Sequence, residues 1–477
     1  MQNTDEAATA RRLRAYLIIV GIAAFATTFP QQRMLGNLPT VFLLKEHFQL
    51  PKEKVAEFFL WATFAWNLKP IAGVLTDAFP LFGSRRRMYL LVGAVLAAGC
   101  WVGLGLFHDT YESILAFSIA LNAAMVFAST AMGGLQVEAS QAFSAPGRIT
   151  SLRQIFTSIA QLSAPLLGGW LATQQFGLTA GIAATVLIGL AVATFIVLDE
   201  PRVPPAEPVS DELFARPRYK PSIGVFAGVL GLGGIAFYAL TNPDFGNLGY
   251  SLVALLFVFL CILGLAMVPT RNPVIFRAQG QLTQILGSKT LWMAVVMLFL
   301  IYTVPGLNTA LTYRQSDDLH FSKELIGTLT SWEAGMGLMA AFAYAAVCRR
   351  FTLRSMLLIA VGTNAAFTLG YLYYTEASAP FIQAATGFVG IASELALMDL
   401  AVRSTPKGCE ALGFALMMSV RNFGVAMSDV IGTKMIDEFH FTFEQLVWIN
   451  AGTTAAVLLF TPFLPKAVMS WREGQKA

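Results

Sequence analysis

Charge is what this chain has least of. Only 13% of its 477 residues are Asp, Glu, Lys or Arg, against 56% hydrophobic residues. Such a composition excludes a soluble globule with a charged surface and points to a polytopic membrane protein. Histidine is scarce too: His47, His108, His320 and His440 are the only four, and all fall between apolar runs. There is no H-E-x-x-H pair and no G-x-S-x-G elbow, and Gly287-Ser288-Lys289-Thr290 lacks the full phosphate-loop spacing. The sequence therefore gives no support to a membrane-embedded hydrolase or a nucleotide-driven engine. Cys100, Cys261, Cys348 and Cys409 share no metal-ligand spacing and read as reduced packing residues. No cofactor or metal is implied. No basic patch gathers outside the short connections, so no nucleic-acid partner is expected.

What is abundant is apolar sequence in lengths of about 20 residues, the span needed to cross about 30 Å of hydrocarbon. Fourteen candidate helices lie near 15–43, 53–78, 88–107, 111–140, 147–174, 178–198, 222–241, 249–268, 289–313, 323–348, 353–374, 379–403, 408–437 and 442–465. They group as six, two and six. The expected organisation is an all-α membrane protein with an N-terminal six-helix bundle (1–200), a linker carrying two central spans (201–288), and a C-terminal six-helix bundle (289–477). With both termini placed inside, 23 of the 32 Lys and Arg residues fall on the cytoplasmic face, as the positive-inside rule requires. A multi-pass protein of the plasma (inner) membrane is expected, with lipid as its surroundings. The N-terminal stretch contains acidic residues and no small-residue cleavage pattern, and reads as a cytoplasmic tail.

The most informative stretch is Trp66 to Tyr89, WNLKPIAGVLTDAFPLFGSRRRMY, where an apolar helix ends at Asp77 and three arginines follow a Pro80/Gly83 turn. A carboxylate at one helix end and Arg85, Arg86 and Arg87 at the start of the next make a charged latch. The arginines alone are equally consistent with a static positive-inside anchor, which accounts less well for Asp77 and Lys69, deeper in the helix. Two spacings extend the latch. Glu138 precedes Gly147 by nine residues and Asp399 precedes Gly408 by the same nine, and basic residues (Arg153; Arg403) lie near each. The expected gate set is Lys69, Asp77, Arg85, Arg86, Arg87, Glu138, Arg153, Asp399 and Arg403.

An ionisable group in hydrocarbon costs about 2.5–3.5 kcal/mol even on the lenient insertion scale, so charges inside helices need a reason. With the bundles numbered 1–6 and 7–12, Glu333 (helix 8), Glu394 (helix 10) and Arg421 (helix 11) lie near mid-depth. Arg33 lies in the outer half of helix 1. Two readings stay open for the central three: a structural ion pair, or a site in which Arg421 meets an anion and Glu394 or Glu333 carries a proton. Arg33 is either a second anion contact or a solvated helix end. Asn308, Trp332 and Asn422 complete the expected substrate site, although aromatic residues at these levels also serve as packing.

The spacing Gly73, Asp77, Gly83, Arg85–Arg87 resembles the loop between helices 2 and 3 of the major facilitator superfamily. Trp66, Lys69-Pro70, Pro80 and Tyr89 resemble its folate-biopterin transporter family, and Pro406 to Gly424, PKGCEALGFALMMSVRNFG, is similar to that family's helix 10–11 junction. Family members commonly carry D-A-L-V-V-E-R-A-R on helix 4; this chain reads GGLQVEASQ over 133–141, keeping Glu138 alone, and has Arg421 where a small polar residue is usual. The resemblance implies the major facilitator fold and proton-driven uptake of folates, pterins or a related anionic, aromatic heterocycle. Helices 3, 6, 9 and 12, which face outward in that fold, carry no charge in the interior of their spans, Arg354 and Glu444 lying in the first turns of helices 9 and 12, which agrees with a wet path lined by the others. The alternatives are the same fold with another cargo (a siderophore, a nucleoside-like metabolite or an exported compound) or a membrane receptor or scaffold without transport.

Overall fold

A computed structural model describes residues 2–50, 52–204, 208–214, 223–241 and 247–473. The first half of the chain forms α1 (Gln2–Ala26), α2 (Asn37–Phe42), α3 (Lys52–Thr63), α4 (Lys69–Ala78), α5 (Arg87–Leu106), α6 (Tyr111–Ala142), α7 (Pro146–Leu171) and α8 (Phe176–Val197). Next come α9 (Asp211–Phe214), α10 (Ile223–Thr241), α11 (Asn247–Met267) and α12 (Pro273–Gly287). The remainder forms α13 (Lys289–Tyr302), α14 (Asn308–Tyr313), α15 (Lys323–Val347), α16 (Leu353–Thr368), α17 (Ala379–Ser404), α18 (Glu410–Asp437), α19 (Phe443–Val457) and α20 (Lys466–Met469). Among the described residues β-pairing is confined to two isolated bridges, Leu81 with Ser84 and Thr352 with Arg472.

Helix is the form these sequences must take in lipid, where each backbone N–H and C=O has to be satisfied within its own segment. Seven helices among the described residues are long and apolar enough to cross a membrane: α5, α6, α8, α17, α18, and α16 and α19 with the turns that extend them to Tyr373 and Phe463. Parts of the Pro201–Pro221 linker, 205–207 and 215–221, lie outside the described residues.

The chain divides into two compact units. One comprises Met1–Glu138, Ile159–Gly287 and Pro406–Leu416; the other Ala139–Ser158, Ser288–Thr405 and Met417–Ala477. Helices α7 and α18 therefore each contribute residues to both. The first unit packs around Leu35, Phe58, Trp101, Leu104 and Leu187, the second around Leu329, Phe443, Leu446 and Val447.

Three expected continuous helices are interrupted, each near a proline. Hydropathy places one helix over 15–43, yet residues 27–36 leave the α-helix between α1 and α2. Pro30 offers no N–H, its carbonyl accepts from Trp101 Nε1 at 2.9 Å, and the Gln31 side chain donates to the Thr27 carbonyl at 2.6 Å. The 289–313 segment breaks the same way between α13 and α14, where the Pro305 carbonyl accepts from Asn450 Nδ2 at 2.7 Å. The 53–78 segment passes through a tight 3₁₀ stretch, Phe64–Leu68, ahead of Pro70. Apolar composition continues through the breaks at 303–307 and 64–68, so hydropathy does not register them, whereas the break at 27–36 carries Gln31, Gln32 and Arg33 between two apolar stretches. The first two are related: α2 and α14 each run into a widened π turn, Leu43–His47 and Arg314–Asp318. Both then end at a left-handed residue, Gln49 at φ 52° and His320 at φ 51°.

Candidate functional site

In the first unit the turn after α4 carries Phe82 at φ 51° and Gly83 at φ 82°, and it returns Arg86 onto the helix it has just left. Arg86 and Asp77 are fully buried and paired, Nη2 to Oδ1 at 2.5 Å. Arg86 Nε also donates to Glu138 Oε1 at 2.9 Å, and Nη2 lies 3.7 Å from Glu410 Oε2. Asp77 does a second job. Its two carboxylate oxygens accept from the backbone N–H groups of Ala411 (3.2 Å) and Leu412 (2.8 Å), capping the first turn of α18, where free N–H groups and the helix dipole favour an anion. Small residues make the room. A Cβ on Gly73 would stand 2.7 Å from Leu412 Cα, and one on Gly134 would stand 2.7 Å from the Arg86 guanidinium carbon. Burial by itself lowers the Arg86 pKa, but Glu138, then Asp77 with its hydrogen bond, then Glu410 outweigh burial and raise it above the ordinary arginine value.

The neighbouring arginines are held differently. Glu200, just past α8, accepts from the backbone N–H groups of Arg85 (2.9 Å), Arg86 (3.1 Å) and Arg87 (2.8 Å) and from Ser84 Oγ at 2.5 Å. It caps α5 as Asp77 caps α18. The Arg87 guanidinium donates to the Phe195 carbonyl at 2.8 Å and lies over that ring. Lys69 sits apart from the Arg86 cluster, donating to Ser129 Oγ at 3.0 Å with its ammonium over Trp66. Trp66 Nε1 in turn donates to Asn122 Oδ1 at 2.8 Å, and Asn122 and Ser118 hold the Gln32 side chain. Arg33 is exposed, its guanidinium 4.2 Å over the Phe59 ring.

In the second unit Asp399 and Arg403 pair with each other one turn apart, at 2.7 and 2.9 Å, and Tyr344 donates to the same carboxylate. Glu138 and Asp399 thus occupy matching sequence positions but use cations of different origin. The Arg403 side chain also donates to the Trp471 carbonyl at 2.9 Å and stacks over that indole at 4.0 Å.

Arg421 and Glu394 form a 2.5 Å ion pair between α18 and α17, both side chains about a quarter exposed. The Arg421 guanidinium lies 5.2 Å over the Tyr302 ring, and it approaches Asn422 Oδ1 at 3.4 Å. Arg153, grouped with the gate on sequence spacing, interacts electrostatically with Glu394 and Arg421. The Glu394 carboxylate thus pairs with Arg421 and also acts through its charge on Arg153. Among the described residues no ion pair or hydrogen bond ties Glu333, Asn308 or Trp332 to this group; all three are exposed on helices of the same unit. Sequence reasoning missed Glu410 and Glu200. Glu410 sits inside the P-x-G-x-E-A turn, and that position was its only signal; Glu200 carried none beyond the end of an apolar run.

Residues 32–470 match the BT1 family. The chain belongs to the BT1 family. It is similar to probable folate-biopterin transporter 4 of Arabidopsis thaliana, 24% identical over 89% of each chain. It is also similar to a folate-biopterin transporter of Synechocystis sp., 20% identical over 90% of this chain and 78% of that one. Its fold is that of the Escherichia coli fucose:proton symporter FucP: TM-score 0.60 and 12% identity, over 94% of this chain and 99% of FucP. The BT1 chain is thus an all-α, multi-pass membrane transporter with the major facilitator fold.

Proposed function

We propose that this BT1 transporter takes up a folate, a pterin or a related anionic aromatic heterocycle, driven by a proton gradient through alternating access. We further propose fourteen spans, arranged as six, two and six within 1–200, 201–288 and 289–477, with both termini in the cytoplasm and the chain in the plasma (inner) membrane. The observation that carries the reading is the Arg421–Glu394 pair with Arg153 beside it. A proton on Glu394 removes the charge that holds Arg421, and the freed guanidinium then offers its planar fork to a substrate carboxylate. Proton and anion enter together because each makes room for the other, and their joint binding shifts the population between states. Tyr302 supplies an aromatic face beside that fork. Asn422, Glu333, Asn308 and Trp332 are proposed as further contacts, with Glu333 a second proton carrier, and Arg33 is proposed separately as an anion contact of the first unit. The Asp77–Arg86–Glu138 cluster is the gate of the first unit in this reading, with Lys69, Arg85 and Arg87 beside it in sequence, and Asp399 and Arg403 are proposed as gate residues of the second unit.

Uptake of radiolabelled folate and of a pterin into proteoliposomes, with and without an imposed inward proton gradient, tests the proposal. Gradient-dependent accumulation that is lost in Glu394→Gln while counterflow persists supports it. Accumulation indifferent to the gradient, or transport of neither compound alongside another cargo, overturns it.

A further inference from the structure

The central insertion carries one helix whose contacts reach the gate cluster. On α12 the buried residues Ala278, Gln281, Leu282 and Ile285 line one face at helical spacing. Three glutamines on this helix bond backbone carbonyls of other segments. Gln279 donates to the Leu265 carbonyl at 2.9 Å and to that of Val268, tying α12 to the end of α11. Gln284 donates to the Lys407 carbonyl at 3.2 Å. Gln281, 8% exposed, divides its carboxamide between two acceptors, the Asp77 carbonyl at 3.2 Å and the Gly408 carbonyl at 2.9 Å. Asp77 is thus gripped twice: its carboxylate caps α18 and its carbonyl, among the orphan acceptors of a helix end, is met by α12. Gly408 stands at φ 84° in the turn that opens α18. The Cys409 thiol, fully buried, faces the Gln281 carbonyl at 3.6 Å and Gln284 Oε1 at 3.5 Å.

We propose that α12 is an interlock of the transport gate, with Gln281 as the positioning residue that holds the end of α4 and the 406–409 turn in the register in which Asp77 caps α18. A primary amide is suited to this, since its two N–H groups answer two carbonyls from different segments, whereas a carboxylate there would face both carbonyls with acceptors only. The second central helix then has a mechanical role: through Gln279 α11 anchors α12, and through Gln281 and Gln284 α12 holds the turn. The interlock rests on the reading of the Asp77–Arg86 cluster as the gate. Its test needs no substrate, so it stands or falls separately from the proposed cargo.

The test uses the full chain with Cys100, Cys261 and Cys348 replaced by alanine, and measures the rate at which N-ethylmaleimide alkylates Cys409. Gln281→Glu and Gln281→Ala are each expected to raise that rate about ten-fold, and Asp77→Asn to raise it comparably. A chain retaining only Cys348 reports on the second unit and should be unmoved by the same substitutions. The decisive arm is the double variant Gln281→Glu/Asp77→Asn. If the two residues act as one device, its rate stays close to that of the faster single variant. Multiplied effects, an unchanged Cys409 rate in both Gln281 variants, or an equal rise at Cys348 would overturn the interlock.

Discussion

Arg86→Met removes the cation that meets Asp77, Glu138 and Glu410 while keeping much of the side-chain volume. Breaking a buried ion pair from one side costs about 3–5 kcal/mol, because the partner is left charged and unpaired. Three partners are affected here, but unequally. Asp77 keeps its two bonds from Ala411 and Leu412, Glu410 keeps the Gly408 N–H at 2.6 Å, and Glu138 is a quarter exposed and reachable by water. The lower end, about 3 kcal/mol, is therefore expected, which is more than a hundred-fold in the equilibrium that the intact cluster stabilises. Arg86→Lys should recover only part of this, since an ammonium cannot reproduce the separate Nε and Nη2 contacts. The assay is thermal unfolding of the detergent-purified chain together with Cys409 alkylation. In the wild-type chain the Arg86 pKa is raised, so its contribution is complete below the ordinary arginine value and is lost only as pH rises through the still higher folded value. Between pH 5 and 9 the wild-type cluster should show no titration through Arg86. In Arg86→Met the deficit should narrow on acidification, as protons replace the missing cation. Wild-type stability and alkylation in Arg86→Met, or a Lys variant equal to wild type, would refute the reasoning.

Arg421→Ala should weaken binding of an anionic substrate by ten- to a hundred-fold, given about 1.5–3 kcal/mol for a hydrogen bond to a charged group; unchanged affinity by calorimetry would remove Arg421 from the site. Gly73→Val puts a branched side chain against the Leu412 backbone, and overpacking of this kind costs about 1–3 kcal/mol; an unchanged melting temperature would show that α4 and the start of α18 separate freely. Burial first, then the charges of Asp77 and Glu410, push the Cys409 thiol up to about 12. Its alkylation rate should therefore climb about ten-fold per pH unit from 7 to 9 without levelling, and a plateau inside that range would contradict the placement. Trp471→Ala removes the indole stacked on Arg403, and a lower unfolding temperature is the expected result.

What was legible in the sequence follows a physical division. Asp77 and Arg86 were readable because nine residues and a tight turn bring them together, so local spacing carries the contact. Glu138 was readable as a charge within a helix and through its likeness in position to Asp399, and that likeness proved positional rather than chemical, since the cation that meets Glu138 comes from the turn before α5 and the one that meets Asp399 lies on its own helix. Glu394 and Arg421 were found because charge in hydrocarbon is conspicuous, yet the same argument nominated Glu333, which is exposed and outside the pair. Depth along a helix can be counted from its ends; rotation about the axis cannot, when a span is apolar on every side. Gln281, Glu200 and Glu410 escaped for a further reason. A neutral amide, or a carboxylate near a helix end, costs little in sequence terms, and its meaning lies wholly in which distant carbonyl or N–H it meets, 204 residues away for Gln281 and Asp77. The polar groups that cost most to bury were thus the easiest to find, and those that hold separate segments in register left almost no trace in composition.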